Sequence, residues 1–240
     1  MFTVNFANMA DNDGYTLAEL FPEDTAGLVP ASGSGSADYV TVWDPEANAG
    51  AGGYVATYWY YKGSRASEFD YKWVKSAKAA ADIKIKSGMG LWFYHRVPVG
   101  SPALTFSVAG QVEYSQQGAS VTLKHGMNMI GAPFAADCDL NDLGVDFWTA
   151  RVKSGEALAA SGSGSADYVS IWDPLANSGT GGYSATYWLY KGNRASEFDY
   201  KWVQSAKAAA PAGFMKMGQG VWYNSRGTGF TMVLPYPYDL

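Results

Sequence analysis

Residues 32–45 read SGSGSADYVTVWDP, and residues 161–174 read SGSGSADYVSIWDP. Within the first phrase Val40 and Val42 alternate with Tyr39, Thr41 and Trp43. Period-two alternation of β-branched and aromatic residues predicts a strand with one buried face. The Gly/Ser run before it reads as a loop leading into the strand. The Asp-Pro after it reads as a stop, since Asp favours the turn and Pro has no N–H for a ladder. The phrase therefore marks a structural starting point that the chain uses twice.

Working outward, the match continues at a shift of 129, and residues 31–81 and 160–210 differ at nine positions. One inserted residue then moves the shift to 130, where GMGLWFYHR (88–96) faces GQGVWYNSR (218–226). A repeat of this length exceeds the roughly 20–50 residues of a solenoid unit. It predicts two tandem domains, residues 1–125 and residues 126–240, related by internal duplication.

The pattern inside each copy predicts an all-β fold of antiparallel β-sandwich or barrel-like domains. Expected strands lie at residues 37–43, 52–63, 67–74, 82–86, 91–96, 103–110 and 119–125, separated by Gly, Ser, Asn and Pro. Residues 139–148 (DLNDLGVDFW) read as a helical turn, and SAKAAA (76–81, 205–210) is helix-friendly but short. In the second strand, Val55 is replaced by Ser184 and Tyr60 by Leu189. A polar exchange suits a solvent face and an apolar one suits a core. This places Tyr54, Ala56, Tyr58 and Tyr60 inward, and Thr57, Trp59 and Tyr61 on the open face.

The net charge is −5, and Lys and Arg are scattered. The footprint of a nucleic-acid-binding protein is missing. No apolar run reaches membrane-spanning length, so no membrane insertion is expected. The N-terminal stretch lacks the basic and apolar regions of a secretory leader. That leaves a chain that stays inside the cell or one whose numbering begins at a processed end. A composition rich in Gly, Ala, Ser, Tyr and Trp leans toward an extracellular or cell-surface protein. The single cysteine, Cys138, has no internal disulfide partner and reads as a small buried hydrophobe.

Signals for catalysis are sparse, and the chain is expected not to be an enzyme. His95 faces Ser225 in the other copy, and His125 sits beside Gly126. No G-x-S-x-G, H-E-x-x-H or phosphate-binding motif occurs. No cofactor and no metal site is expected. The Asp/Asn runs at residues 11–14 and 137–142 leave calcium near Asp11 or Asp137 open, although the second lacks the Gly and Glu of a calcium loop.

Eight of the nine tryptophans form matched pairs: Trp43/Trp172, Trp59/Trp188, Trp73/Trp202 and Trp92/Trp222. Such residues pack cores and cross-strand ladders. Two of them exposed on one face would also make a platform for sugar rings. Trp59 and Tyr61, with Trp188 and Tyr190, are the candidates, because their face tolerates Ser184.

The segment LKHGMNMIGAPFAADCDLNDLG (123–144) resembles the G-x-N-[ML]-[IV]-x-x-P-F … L-N-D turn of β-rich repeats in secreted bacterial proteins. VTVW (40–43), YVATYWYY (54–61) and GMGLWFY (88–94) resemble the strands that follow that turn. The resemblance implies an exported β protein and carries no assigned activity and no site residues. The first copy departs from it, since residues 5–20 lack the Pro-Phe pair.

Within the tail GFTMVLPYPYDL (229–240), FTMVLPY (230–236) corresponds to LTFSVAG (104–110), but no segment equivalent to ASVTLKH (119–125) follows it. The sequence therefore predicts an open edge at Phe230, Thr231, Met232, Val233 and Leu234, and an incomplete sheet beside Phe2, Val4 and Phe6. Filling one with the other would build a head-to-tail homo-polymer by strand addition. The expected function is an extracellular structural protein forming a filament or surface lattice. The alternative is a module that binds a carbohydrate or cell surface through exposed aromatic residues.

Overall fold

The structure is a computed structural model that describes residues 2–3, 14–44, 47–50, 52–76, 79–86, 89–98, 100–107, 118–193, 196–205 and 208–237. The chain is mostly β and forms two six-stranded antiparallel sheets. The first holds β1 (Phe2–Thr3), β2 (Tyr39–Asp44), β3 (Gly53–Tyr61), β4 (Lys72–Ser76), β5 (Ala79–Ala80) and β6 (Gly90–Tyr94), in the order β1-β6-β2-β3-β4-β5. The second holds β7 (Ala119–Gly131), β8 (Tyr168–Asp173), β9 (Gly182–Leu189), β10 (Trp202–Ser205), β11 (Ala208–Ala209) and β12 (Gly220–Leu234). Its order is β11-β10-β9-β8-β12-β7.

The matching residues take matching places. Val42 faces Ala56 as Ile171 faces Ala185, and Thr41 faces Trp92 as Ser170 faces Trp222. The same non-glycine residues adopt positive φ in both halves: Asn48, Ala49 and Tyr71, and Asn177, Ser178 and Tyr200.

Each sheet buries one face in its own core. In the first, Val40, Val42, Tyr58, Tyr60 and Trp73 pack under Leu17, Leu20 and Phe21. The short helix Leu17–Leu20 starts here because Thr16 and Glu19 form a reciprocal capping box. In the second, Val169, Ile171, Leu189, Trp202 and Tyr223 pack under Trp148 of the helix Val145–Lys153. The indole N–H of Trp148 donates to the Leu140 carbonyl. The helical turn read at residues 139–148 is thus a 3₁₀ turn, Leu140–Leu143, followed by this longer helix.

Several expected strands differ. Residues 67–74 begin as the 3₁₀ turn Ser67–Phe69, and the positive φ of Tyr71 delays the strand to Lys72. Residues 82–86 contribute a single bridge, Ile85 to Tyr15. Residues 102–107 are not a strand, and residues 108–110 lie outside the described residues. Within SAKAAA the described alanines extend as β5 and β11 rather than coil as helix.

The expected open edge at the tail is also corrected. Phe230, Thr231, Met232, Val233 and Leu234 pair with Leu123, Thr122, Val121, Ser120 and Ala119 of the same chain. The segment ASVTLKH, thought to be missing from the second half, is the beginning of β7 and lies across the expected boundary at residue 125. Phe230, Met232 and Leu234 are core residues. On the first sheet, Phe2 pairs with Leu91 where Ile130 pairs with Val221 in the second. Val4 and Phe6 lie outside the described residues.

Candidate binding site

The faces turned away from the two cores are where the repeated residues converge. Each begins with a β-bulge. Val42 pairs with Ala56, but the next residue, Trp43, pairs with Tyr54, so Val55 is passed over. Ser184 is passed over in the same way between Ile171 and Trp172. One extra residue in a strand reverses the side-chain alternation beyond it. Tyr54 is therefore turned from the core face, where its sequence places it, to the outer face. It and Tyr183 are about half exposed, at 51% and 56%. The exchange of Val55 for Ser184 falls on the bulge itself, which explains its tolerance.

On the outer face of the first sheet a cleft of about 390 Å³ is lined by Ser34, Gly35, Tyr39, Thr41, Tyr54, Thr57, Trp92 and Arg96. On the second sheet a cleft of about 410 Å³ is lined by the aligned residues Ser163, Gly164, Tyr168, Ser170, Tyr183, Thr186, Trp222 and Arg226, with Met127 added. The repeated SGSGS phrase thus belongs to the site. Gly33 accepts backbone bonds from Ser36 and Ala37, which folds the phrase into a turn that forms one wall.

The clefts adjoin each other. Trp43 meets Trp222 edge to face, and Trp92 meets Trp172, with ring centroids 4.8 and 4.9 Å apart. These contacts are reciprocal between aligned positions, which is the signature of a local two-fold relation. Trp43 and Trp172 also carry Tyr54 and Tyr183 on their edges. Burial pushes the Tyr54 hydroxyl above its usual range, and the neighbouring Tyr183 adds to the shift.

The Arg96 guanidinium lies over the rings of Tyr94 and Tyr39, at 4.4 and 5.3 Å, and those rings stack at 5.1 Å. Arg226 lies over Tyr168 at 5.7 Å. At the position of Tyr94 the second sheet has Asn224, whose amide donates to the Tyr168 hydroxyl. Both arginines are held from behind by a buried carboxylate. Asp38 accepts from the Arg96 N–H at 2.6 Å, and Asp167 from the Arg226 N–H at 2.7 Å.

Of the aromatic platform expected at Trp59, Tyr61, Trp188 and Tyr190, the tyrosines are buried and the tryptophans partly buried. Tyr61 and Tyr190 are 1% exposed. Tyr61 packs with Ala66, Val74, Trp59 and Phe69, and Tyr190 with Val203, Trp188 and Phe198. The backbone at Ala31 and Ala160 adds one parallel bridge beside Tyr61 and Tyr190. Thr57, Trp59 and Tyr61 do share one face, but Tyr54 joins it rather than the core, and the accessible part lies farther along the strands, at Tyr39, Tyr54 and Trp92. The signal that could have found it was the identity of the loop phrase together with the shared Arg96 and Arg226.

The other candidates have structural partners. His95 Nδ1 lies 2.9 Å from an Asp38 oxygen, and His125 Nδ1 lies 2.8 Å from the Gly227 carbonyl. Asp137 accepts from Lys216 and from the Met217 N–H, which hold its carboxyl below the usual range. Asp139 caps the 3₁₀ turn through the Asn141 N–H. Asp11 lies outside the described residues. Cys138 is buried, and burial pushes its thiol up to about 12. No helix among the described residues is long and apolar enough to cross a membrane. No family model, curated protein or solved structure matches the chain.

Proposed function

We propose that this chain is a saccharide-binding module with two equivalent clefts, acting outside the cell or on its surface. The observation that carries the reading is the recurrence of one cleft's eight lining positions in the other. A sugar ring offers an apolar C–H face and a rim of hydroxyls. Flat aromatic rings answer the first, and side-chain hydroxyls answer the second. Tyr39, Tyr54 and Trp92 supply the rings in the first cleft, and Thr41 and Thr57 the hydroxyls. The volumes fall at the low end of about 300–1,000 Å³ for small-molecule sites, which suits one or two sugar residues at a time.

The two-fold relation gives this module a geometric consequence. Two clefts related in this way let the module hold two ligands at once. The low charge and the resemblance to secreted β repeats support an extracellular setting. Head-to-tail assembly has lost its main motive, because the tail strand is paired within its own chain.

A glycan array followed by titration calorimetry tests the proposal. Binding with two sites per chain is expected. Tyr54→Ala and Tyr183→Ala should each remove one site, with little loss of stability because both side chains are half exposed. Failure of every glycan to bind, or binding that survives the double variant, rejects the reading.

A further inference from the structure

The lining of both clefts contains a single charged side chain, and in both it is an arginine. This holds in a chain whose net charge is −5. Neither guanidinium has a carboxylate partner among the described residues. Arg96 donates only a long bond of 3.5 Å to the Ser34 carbonyl, and its buried Nε has no partner. Arg226 donates to the Ala166 carbonyl at 3.1 Å. Their charge is seated on tyrosine rings and aimed along the cleft wall, while Asp38 and Asp167 hold the backbone behind them.

Those carboxylates form no ion pair with either guanidinium. Asp38 is spent on the N–H groups of Val29 and Arg96 and on His95. Asp167 is spent on Leu158, Arg226 and the Tyr223 hydroxyl. A stacked guanidinium keeps its outer N–H groups free, in a planar fork that matches a carboxylate or sulfate.

We infer that the saccharide taken by each cleft carries an anionic group, a carboxylate or a sulfate, which Arg96 and Arg226 receive while the tyrosines and Trp92 or Trp222 stack on the ring. The inference rests on the saccharide-binding reading and narrows its ligand class to acidic glycans. No carboxylate lines either cleft to repel such a ligand.

The test is calorimetric titration of the full chain with three oligosaccharides of equal length: an oligouronate, a sulfated chain and a neutral chain. At least one acidic probe should bind about tenfold more tightly than the neutral one, the worth of one charge-assisted bond. The advantage should shrink as salt rises. The oligouronate winning identifies the group as a carboxylate, and the sulfated probe winning identifies it as a sulfate. The Arg96→Gln/Arg226→Gln double variant should bind acidic and neutral probes alike. If it melts, Arg96→Lys/Arg226→Lys keeps the charge and should keep part of the preference. Equal affinity for all three probes, or a preference that survives loss of both charges, overturns the inference and leaves saccharide binding standing. Absence of binding to all three overturns both.

Discussion

Trp43 of the first sheet stands edge-on to Trp222 of the second, at 4.8 Å and 89°, and its indole N–H donates to the Met127 carbonyl at 2.8 Å. Its aligned residue Trp172 repeats the ring contact with Trp92 but makes no such hydrogen bond among the described residues. The two sheets are thus joined symmetrically by rings and asymmetrically by one donor. Trp43→Phe should therefore destabilise by about 1 kcal/mol more than Trp172→Phe, the net worth of a hydrogen bond. Chemical denaturation of the two variants measures the difference. A double-mutant cycle of Trp43→Ala with Trp222→Ala should return a coupling of about 0.5–1.5 kcal/mol. Strict additivity would mean that the ring contact does not join the sheets.

Gly52 and Gly181 make those indoles possible. They sit at φ of +78° and +81°, and an added Cβ would come within 2.6 Å of Trp43 and 2.4 Å of Trp172. Gly52→Ala meets two penalties, the left-handed backbone at about 1–2 kcal/mol and a clash that pushes the Trp43 ring aside. The expected result is a lower melting temperature together with a changed near-ultraviolet dichroism signal from displaced tryptophans. Unchanged aromatic dichroism would show that the added methyl does not displace Trp43.

The strands at residues 39–44, 53–61 and 90–94 were legible because each is a run of β-branched and aromatic residues bounded by turn-forming Gly, Ser, Asn or Pro. The bulge was not. Val55 and Ser184 are ordinary strand residues, and nothing local marks them as unpaired, yet they reverse the face of Tyr54 and Tyr183. The positive φ of Tyr71 and Tyr200 was hidden for the same reason, since tertiary packing rather than propensity holds a tyrosine there. The pairing of Phe230 with Leu123 was out of reach of a reading that stepped along the chain, because it joins residues more than a hundred positions apart. All the site positions but Met127 lay in the repeated segments, and all of those but Thr41/Ser170 carry the same residue in both. What the sequence withheld was which part of the outer face stays open.

Cys138 gives a probe of that packing. Burial raises its thiol to about 12, with Asp142, Asp137 and Asp139 adding to the shift. Because the folded value is raised, its contribution to stability is complete below the ordinary thiol range and is lost as pH climbs through about 12. At pH 8 the folded protein should react with a disulfide reagent only as fast as it opens, and the denatured chain should react at once. Rapid labelling of the native protein would place Cys138 at the surface.

The two halves satisfy one buried carboxylate in two ways, which allows a rescue experiment. In the first, Asp38 is met by His95, and Phe93 stands two residues earlier. In the second, Asp167 is met by the Tyr223 hydroxyl at 3.0 Å, and Ser225 fills the histidine's place. Burial pushes the Asp167 carboxyl up, opposed by its backbone donors and by Tyr223. A raised value means that this group favours the fold most at low pH and costs stability as pH rises through it. The donors offset that cost while the carboxylate is ionised. Tyr223→Phe should therefore cost about 1.5–3 kcal/mol at neutral pH, the range for a bond to a charged group. The loss should shrink as pH falls and Asp167 takes up a proton. Adding Ser225→His to Tyr223→Phe copies the first half's solution and should recover stability at neutral pH. A Tyr223→Phe cost that is flat with pH, or a double variant no better than the single one, would show that the hydroxyl acts through packing and that the two carboxylates are not held by interchangeable donors.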